Sequence, residues 1–123
     1  MANEIIVSLT VQVTKDNLSY IYSPGTLTAD LATARRGGHV QTIGTSAETV
    51  SLGDVATPTL GIFRNLDASN FVTIGPQVGT TLLIEPFLKL LAGQVALVWL
   101  DPAVVIMAQA DTASVDLQVD VFE

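Results

Sequence analysis

The sequence predicts an all-β protein, an antiparallel β-sandwich with the jelly roll as its favoured version. Three observations carry that prediction. Apolar and polar residues alternate with period two in the opening and closing segments, Glu4 to Thr14 and Ser114 to Phe122. Turn signals recur at intervals of roughly 8 to 12 residues and divide the chain into eight to ten strands. No stretch of helical period is long enough for a βαβ crossover. The jelly roll is favoured because long strands with polar faces suited to exposed sheet surface stand near both ends of the sequence.

In the first segment Ile5, Val7, Leu9, Val11 and Val13 fall on one face and Ser8, Thr10, Gln12 and Thr14 on the other, which predicts one long half-buried strand. Lys15-Asp16-Asn17 supplies a turn, and Leu18 to Tyr22 a short strand closed by Ser23-Pro24-Gly25. Thr26 to Ala34 reads as extended because of its β-branched threonines, although ADLATARR also suits about two helical turns. Gly37-Gly38 predicts a tight reversal, followed by strands over His39 to Thr45 and Glu48 to Leu52. Gly53 to Thr59 reads as a connection crossing from one sheet to the other, with Pro58 opposing a helix.

The centre of the chain, Leu60 to Gly75, predicts a hairpin. Leu60, Ile62, Phe71, Val72 and Ile74 supply its strands, and Asn65, Asp67, Ser69 and Asn70 a turn in which side chains bond their own backbone. Such a hairpin is marginal in water by itself, so flanking segments must cover it. Pro76 to Gly79 is a further turn. Strands follow over Thr80 to Glu85, Phe87 to Leu91 and Gln94 to Leu100, the last read as buried with Val95, Leu97 and Trp99 on one face. Val104 to Ala110 and Ser114 to Phe122 complete the series, the latter with Val115, Leu117, Val119 and Val121 aligned.

A chain of 123 residues is economically read as one domain, residues 1–123, and burial of roughly 65% of its extended surface suffices for one core. Hydrophobic residues make up 49% and charged residues only 14%, so the surface must be built from Thr, Ser, Gln and Asn or be hidden against partners. The net charge of −7 argues against nucleic acid, whose phosphates need clustered Lys and Arg, and favours a basic protein surface as mate. Without cysteine there are no disulfides and no thiolate metal sites. The opening MANEIIVSLT lacks the basic flank of a secretory signal, and Leu88 to Leu100 is too short for a bilayer, so a soluble, unexported chain without a membrane partner is expected.

Catalytic chemistry finds little support. His39 is the one imidazole and reads as an exposed or hydrogen-bonded loop residue. Gly44-Thr45-Ser46 lacks the second glycine of a nucleophile elbow. The acidic residues lie in turns or on alternating polar faces, as Asp116 and Asp120 do, where solvation explains them better than a glycosidase pair. Asp67, Ser69 and Asn70 could offer oxygens to calcium but fall short of an EF-hand pattern. No Walker, dinucleotide or zinc motif is present, so neither an enzyme nor a cofactor is expected.

Interaction residues are better candidates. Tyr20 and Tyr22 share a strand face with Leu18 and suit exposed contact, whereas Trp99 reads as core. Arg35 and Arg36 form the one adjacent basic pair; such residues are ordinarily solvated, and here they could dock an acidic patch of a neighbouring subunit. Arg64 and Asp67 bracket the central turn and could pair across it, although a surface pair of that kind contributes little stability.

VQTIGTSAETVSLGDVATPTLGIFRNLDASNFVTIG, from Val40 to Gly75, and LLAGQVALVWL, from Leu90 to Leu100, together resemble a family of small structural proteins of tailed bacteriophages. Thr59 stands after Pro58 where that pattern has a glycine. The resemblance implies a virion protein without catalytic residues, in which Asn65, Leu66 and Asp67 are structural turn residues. It further implies a capsid decoration or cement protein, made in the host cytoplasm and placed on the outer surface of the head as trimers. Its partners would be the major capsid protein and copies of itself. A tail or head-completion component is the related alternative, and a carbohydrate or host-surface binding module the unrelated one. Ala2 to Ile6 and Val121 to Glu123 are expected as extra strands on adjacent copies, because exposed sheet edges invite pairing.

Overall fold

The computed structural model describes residues 4–79 and 84–123, so most of the strand expected over Thr80 to Glu85 lies outside the described residues. Two compact units divide the chain, Met1–Ala32 and Thr33–Glu123. Among the described residues all regular structure is β, in twelve strands.

The first unit is a two-stranded antiparallel ribbon in two parts. β1 (Ile5–Ser8) pairs with β4 (Thr26–Ala29), and β2 (Val11–Lys15) with β3 (Leu18–Tyr22). Lys15 lies opposite Leu18, leaving a two-residue connection in which Asp16 takes φ 50°, a conformation an Asp tolerates. The single long strand expected over Glu4 to Thr14 is therefore broken at Leu9 and Thr10. Between the pairs Ser8–Thr26 and Val11–Tyr22, those two residues face three, Ser23-Pro24-Gly25, and the proline has no N–H to continue the ladder.

The second unit holds two four-stranded antiparallel sheets packed as a sandwich. Its strands are β5 (Arg36–Ile43), β6 (Glu48–Thr49), β7 (Leu60–Asn65), β8 (Val72–Pro76), β9 (Leu88–Leu90), β10 (Val95–Trp99), β11 (Ile106–Ala110) and β12 (Val115–Phe122). One sheet has the order β10-β7-β12-β5 and the other β6-β11-β8-β9. The sandwich is organised around β12: Val115, Leu117, Val119 and Val121 are fully buried, as their alternation requires. They meet Phe63 and Ile43 of their own sheet and Val72, Ile74, Ile106, Ala108 and Leu90 of the other in one apolar core. Gly53 to Thr59 does cross between the sheets, joining β6 to β7.

Several expectations are corrected. The central hairpin does not form: β7 pairs with β10 and β12, while β8 pairs with β11 and β9, so residues 66–71 arch from one sheet to the other. The polar side chains read as a hairpin turn instead anchor this arch. Fully buried Asn65 donates through Nδ2 to the carbonyls of Asn70 (2.8 Å) and Leu90 (3.0 Å) and accepts at Oδ1 from Asp67 N–H (2.8 Å). Gly37 and Gly38 lie inside β5, where they make space instead of reversing the chain. A Cβ on Gly37 would collide with the carbonyl of Leu52, and one on Gly38 with the Arg36 and Asp120 side chains. Val121 and Phe122 belong to β12, flanked on both sides by strands of their own sheet, and are not free to extend a neighbour. Ala2 and Asn3 lie outside the described residues, while Ile5 and Ile6 already pair with Ala29 and Thr28.

Candidate interaction surfaces

In the antiparallel β2–β3 ribbon, residues directly opposite share a face. Val11 with Tyr22 and Val13 with Tyr20 therefore form an apolar block on one face, extended by Leu18 beside Lys15. Gln12, Thr14, Ser19 and Ile21 occupy the other face. Every residue of both strands is exposed, Tyr20 by 53% and Tyr22 by 48%. The tyrosines are placed as expected, but Val11 and Val13, expected to be half-buried, stand beside them in solvent.

A second apolar surface lies on the outer face of the β10-β7-β12-β5 sheet. Val95, Leu97 and Trp99 of edge strand β10 stand opposite Arg64, Ile62 and Leu60 of β7. Trp99 was expected in the core; it is 47% exposed, with Leu97 at 44% and Val95 at 61%. Alternation places the strand's residues correctly on two faces but not which face is covered: the smaller Ala96 and Val98 are the ones packed on the core. An excess of apolar residues over the charges available to solvate them was the sequence signal for such a surface.

Arg35 and Arg36 lie beside a broad open depression of about 530 Å³ that Ala34 and Asp54 also line. Arg36 is committed within the chain, its Nη2 donating to Asp120 Oδ1 at 2.6 Å across the β5–β12 pair. Arg35 acts on Glu123, which is buried and whose carboxylate accepts from Ala56 N–H (3.1 Å) and Thr57 Oγ1 (2.9 Å). These hydrogen bonds, and then the Arg35 charge, hold the Glu123 carboxyl below its ordinary value. The tyrosine pair and the arginine pair belong to different units.

At the β9–β10 margin of the sandwich an apolar cavity of about 140 Å³ opens among Phe63, Ile74, Phe87, Leu88, Val98 and Leu100. It is lined without a polar group that could orient a reacting substrate. Asp67 does not pair with Arg64; its Oδ2 accepts from the N–H groups of Asn70 (2.6 Å) and Ser69 (3.0 Å), which lower its pKa. Those bonds close an Asx turn on Asp67 Oδ2, one of the oxygens considered for calcium, and no group of three or more His, Asp or Glu able to hold a metal ion occurs among the described residues. His39, read as an exposed or hydrogen-bonded loop residue at the start of its strand, lies inside β5 opposite Val119, where its Nε2 is buried and has no hydrogen-bond partner among the described residues. No helix among the described residues is long and apolar enough to cross a membrane.

Compared with known protein families, curated proteins and solved structures, the chain shows no match.

Proposed function

We propose that the protein is a structural subunit of a tailed-bacteriophage virion, a capsid decoration or cement protein that binds the major capsid protein and copies of itself, as trimers, on the outside of the head. The observation that carries this reading is the pair of exposed apolar faces, on the β2–β3 ribbon and on β10, in a chain with few surface charges. Surfaces of this kind suit a subunit that works by being covered, with many weak copies of one contact summing to a strong attachment. The mechanism is mechanical: subunits bridge neighbouring capsid proteins and raise the force needed to separate them. The net charge of −7 suits a basic shell exterior.

The jelly roll belongs to the same proposal. Within the second unit the first and last strands, β5 and β12, pair; β7 lies on the other side of β12 with β10 outside it, and β6-β11-β8-β9 forms the facing sheet. That order is the one produced when two Greek keys wrap eight strands into two sheets.

A second reading, a carbohydrate or host-surface binding module, is favoured by one observation, the two exposed tyrosines on a single ribbon face. Immunogold electron microscopy of phage particles with an antibody to this chain separates the readings. Dense labelling over heads is the expected result; labelling confined to tail or neck replaces the cement mechanism with a tail or head-completion role. Particles that carry none of the protein overturn the virion reading.

A further inference from the structure

We propose that the β2–β3 ribbon of one copy docks through Val11, Val13, Tyr20 and Tyr22 onto the outer β10–β7 face of a second copy, against Leu97, Trp99 and Ile62. This deepens the self-association in the reading above and rests on that part of it, but not on attachment to a capsid. A two-stranded ribbon with an apolar face is marginal in water, so a well-formed β2–β3 needs a covering layer. The chain itself carries a surface of matching character, an exposed apolar row on an edge strand.

Charge selects a second copy's sheet as the occupant's seat. Two chains at −7 repel unless they meet where carboxylates are absent. The ribbon block of Val11, Val13, Tyr20 and Tyr22 carries no acid, and beside it on the same face stands Lys15. On the sheet, the row of Leu97 and Ile62 continues to Asp120, whose charge Arg36 already neutralises. The ribbon block thus carries no acid, and the acid next to the sheet row is held in an ion pair within its own chain.

Area sets the strength of each contact. Several half-exposed Val, Leu, Tyr and Trp side chains present on the order of 300–400 Å² per face, given that an aromatic residue buries ~150–250 Å². One face alone falls short of the ~800 Å² per partner that a stable interface needs. A copy that gives its ribbon and receives another's buries both faces, on the order of 700 Å² in all but divided between two contacts, so each contact is weak alone and closure of the assembly supplies the remaining strength. The contact is heterologous, so a closed ring of copies satisfies every ribbon and every sheet.

The absence of cysteine allows a direct test with the full chain. Val13→Cys and Leu97→Cys are made in separate chains, mixed in equal amounts and oxidised. The expected product is a disulfide-linked species of one chain of each kind, formed at least tenfold faster than either homodimer. Sedimentation of the unmodified chain is expected to show reversible association, with a dissociation constant raised at least tenfold by the double substitution Tyr20→Ser and Tyr22→Ser. A Val13→Cys homodimer as the main product overturns the proposal in favour of ribbon-to-ribbon packing. An intramolecular disulfide in a monomer carrying both cysteines, or a chain monomeric at every concentration, also overturns it. Labelled phage heads with no cross-link would sink this contact while leaving the virion reading intact; cross-linked oligomers absent from particles would do the reverse.

Discussion

The β2–β3 ribbon and strand β12 carry the same period-two alternation of valines with polar residues, yet Val11 and Val13 stand in solvent while Val115, Val119 and Val121 are fully buried. Alternation makes a strand by matching side chains to the pleat; it says nothing about how many layers lie over the apolar face. β12 has neighbours on both sides and a sheet across from it. β2 has one neighbour, β3. The same pattern therefore stores folding stability in one place and unspent apolar surface in the other.

The largest predicted effect tests that difference directly. Leu117→Ala removes a fully buried side chain from β12 and should cost ~2–5 kcal/mol. At roughly 4–8 °C per kcal/mol for a unit of this size, its Tm should fall by at least ~8 °C. Val13→Ala shortens an exposed side chain and should change stability by less than ~0.5 kcal/mol in a dilute, unassociated sample. Thermal unfolding followed by near-ultraviolet circular dichroism reads both. Equal losses would mean that the ribbon is as much part of the folding core as β12.

The legibility of the sequence follows the same line. In Val115 to Phe122, whose two faces differ strongly in polarity, position and inward face were both readable, whereas in Val11 to Lys15 the same contrast marked the strand but not whether its apolar face is covered. Val95 to Trp99 is apolar on both faces, so its position was readable and its covered face was not. The central arch misled for another reason. Two β-prone runs joined by Asn and Asp look like a hairpin, but the six-residue span 66–71 is long enough to change sheets, and buried Asn65 holds it there through Leu90, a partner far along the chain. Tyr20 and Tyr22 were readable as contact candidates on one strand face and both stand exposed; the β10 face was not readable, because nothing local distinguishes a covered aromatic from an uncovered one.

Glycines sharpen the comparison at intermediate magnitude. Gly75 in β8 leaves no space for a side chain: a Cβ there would overlap the Glu85 carbonyl and crowd Phe87 N–H. The nearby bonds from Glu85 N–H to Pro76 and from Phe87 N–H to Ile74, both 3.0 Å, depend on that approach. Gly75→Ala should therefore cost ~1–3 kcal/mol by overpacking. Gly25, in the interruption between β3 and β4, has φ 83° and open space around it, so Gly25→Ala meets only the left-handed penalty, roughly 1–2 kcal/mol. The two variants should separate in hydrogen exchange. Gly75→Ala should lower protection of Phe87 and Glu85 amides and Gly25→Ala should not, whereas unchanged protection there would remove the steric account of Gly75.

Acid should act on the sandwich unit through two of its carboxylates, with the smallest effect. Asp67 is held below its ordinary value by the N–H groups of Asn70 and Ser69, and Glu123 by Ala56 N–H and the Thr57 hydroxyl. A carboxylate whose folded pKa lies below its unfolded one binds fewer protons when folded. Its stabilisation is therefore complete above the unfolded value, about pH 4, and is lost as pH falls through the folded value. Asp67→Asn and Glu123→Gln should each lower stability at neutral pH and flatten the decline below pH 4, because the residue that supplied the pH-dependent part is gone. Urea midpoints measured from pH 7 to pH 2 read the slope. Glu123 ties residues 56–57 to the strand next to β5 and Asp67 ties the arch between the sheets, so a slope unchanged in both variants would show that neither tie is linked to unfolding.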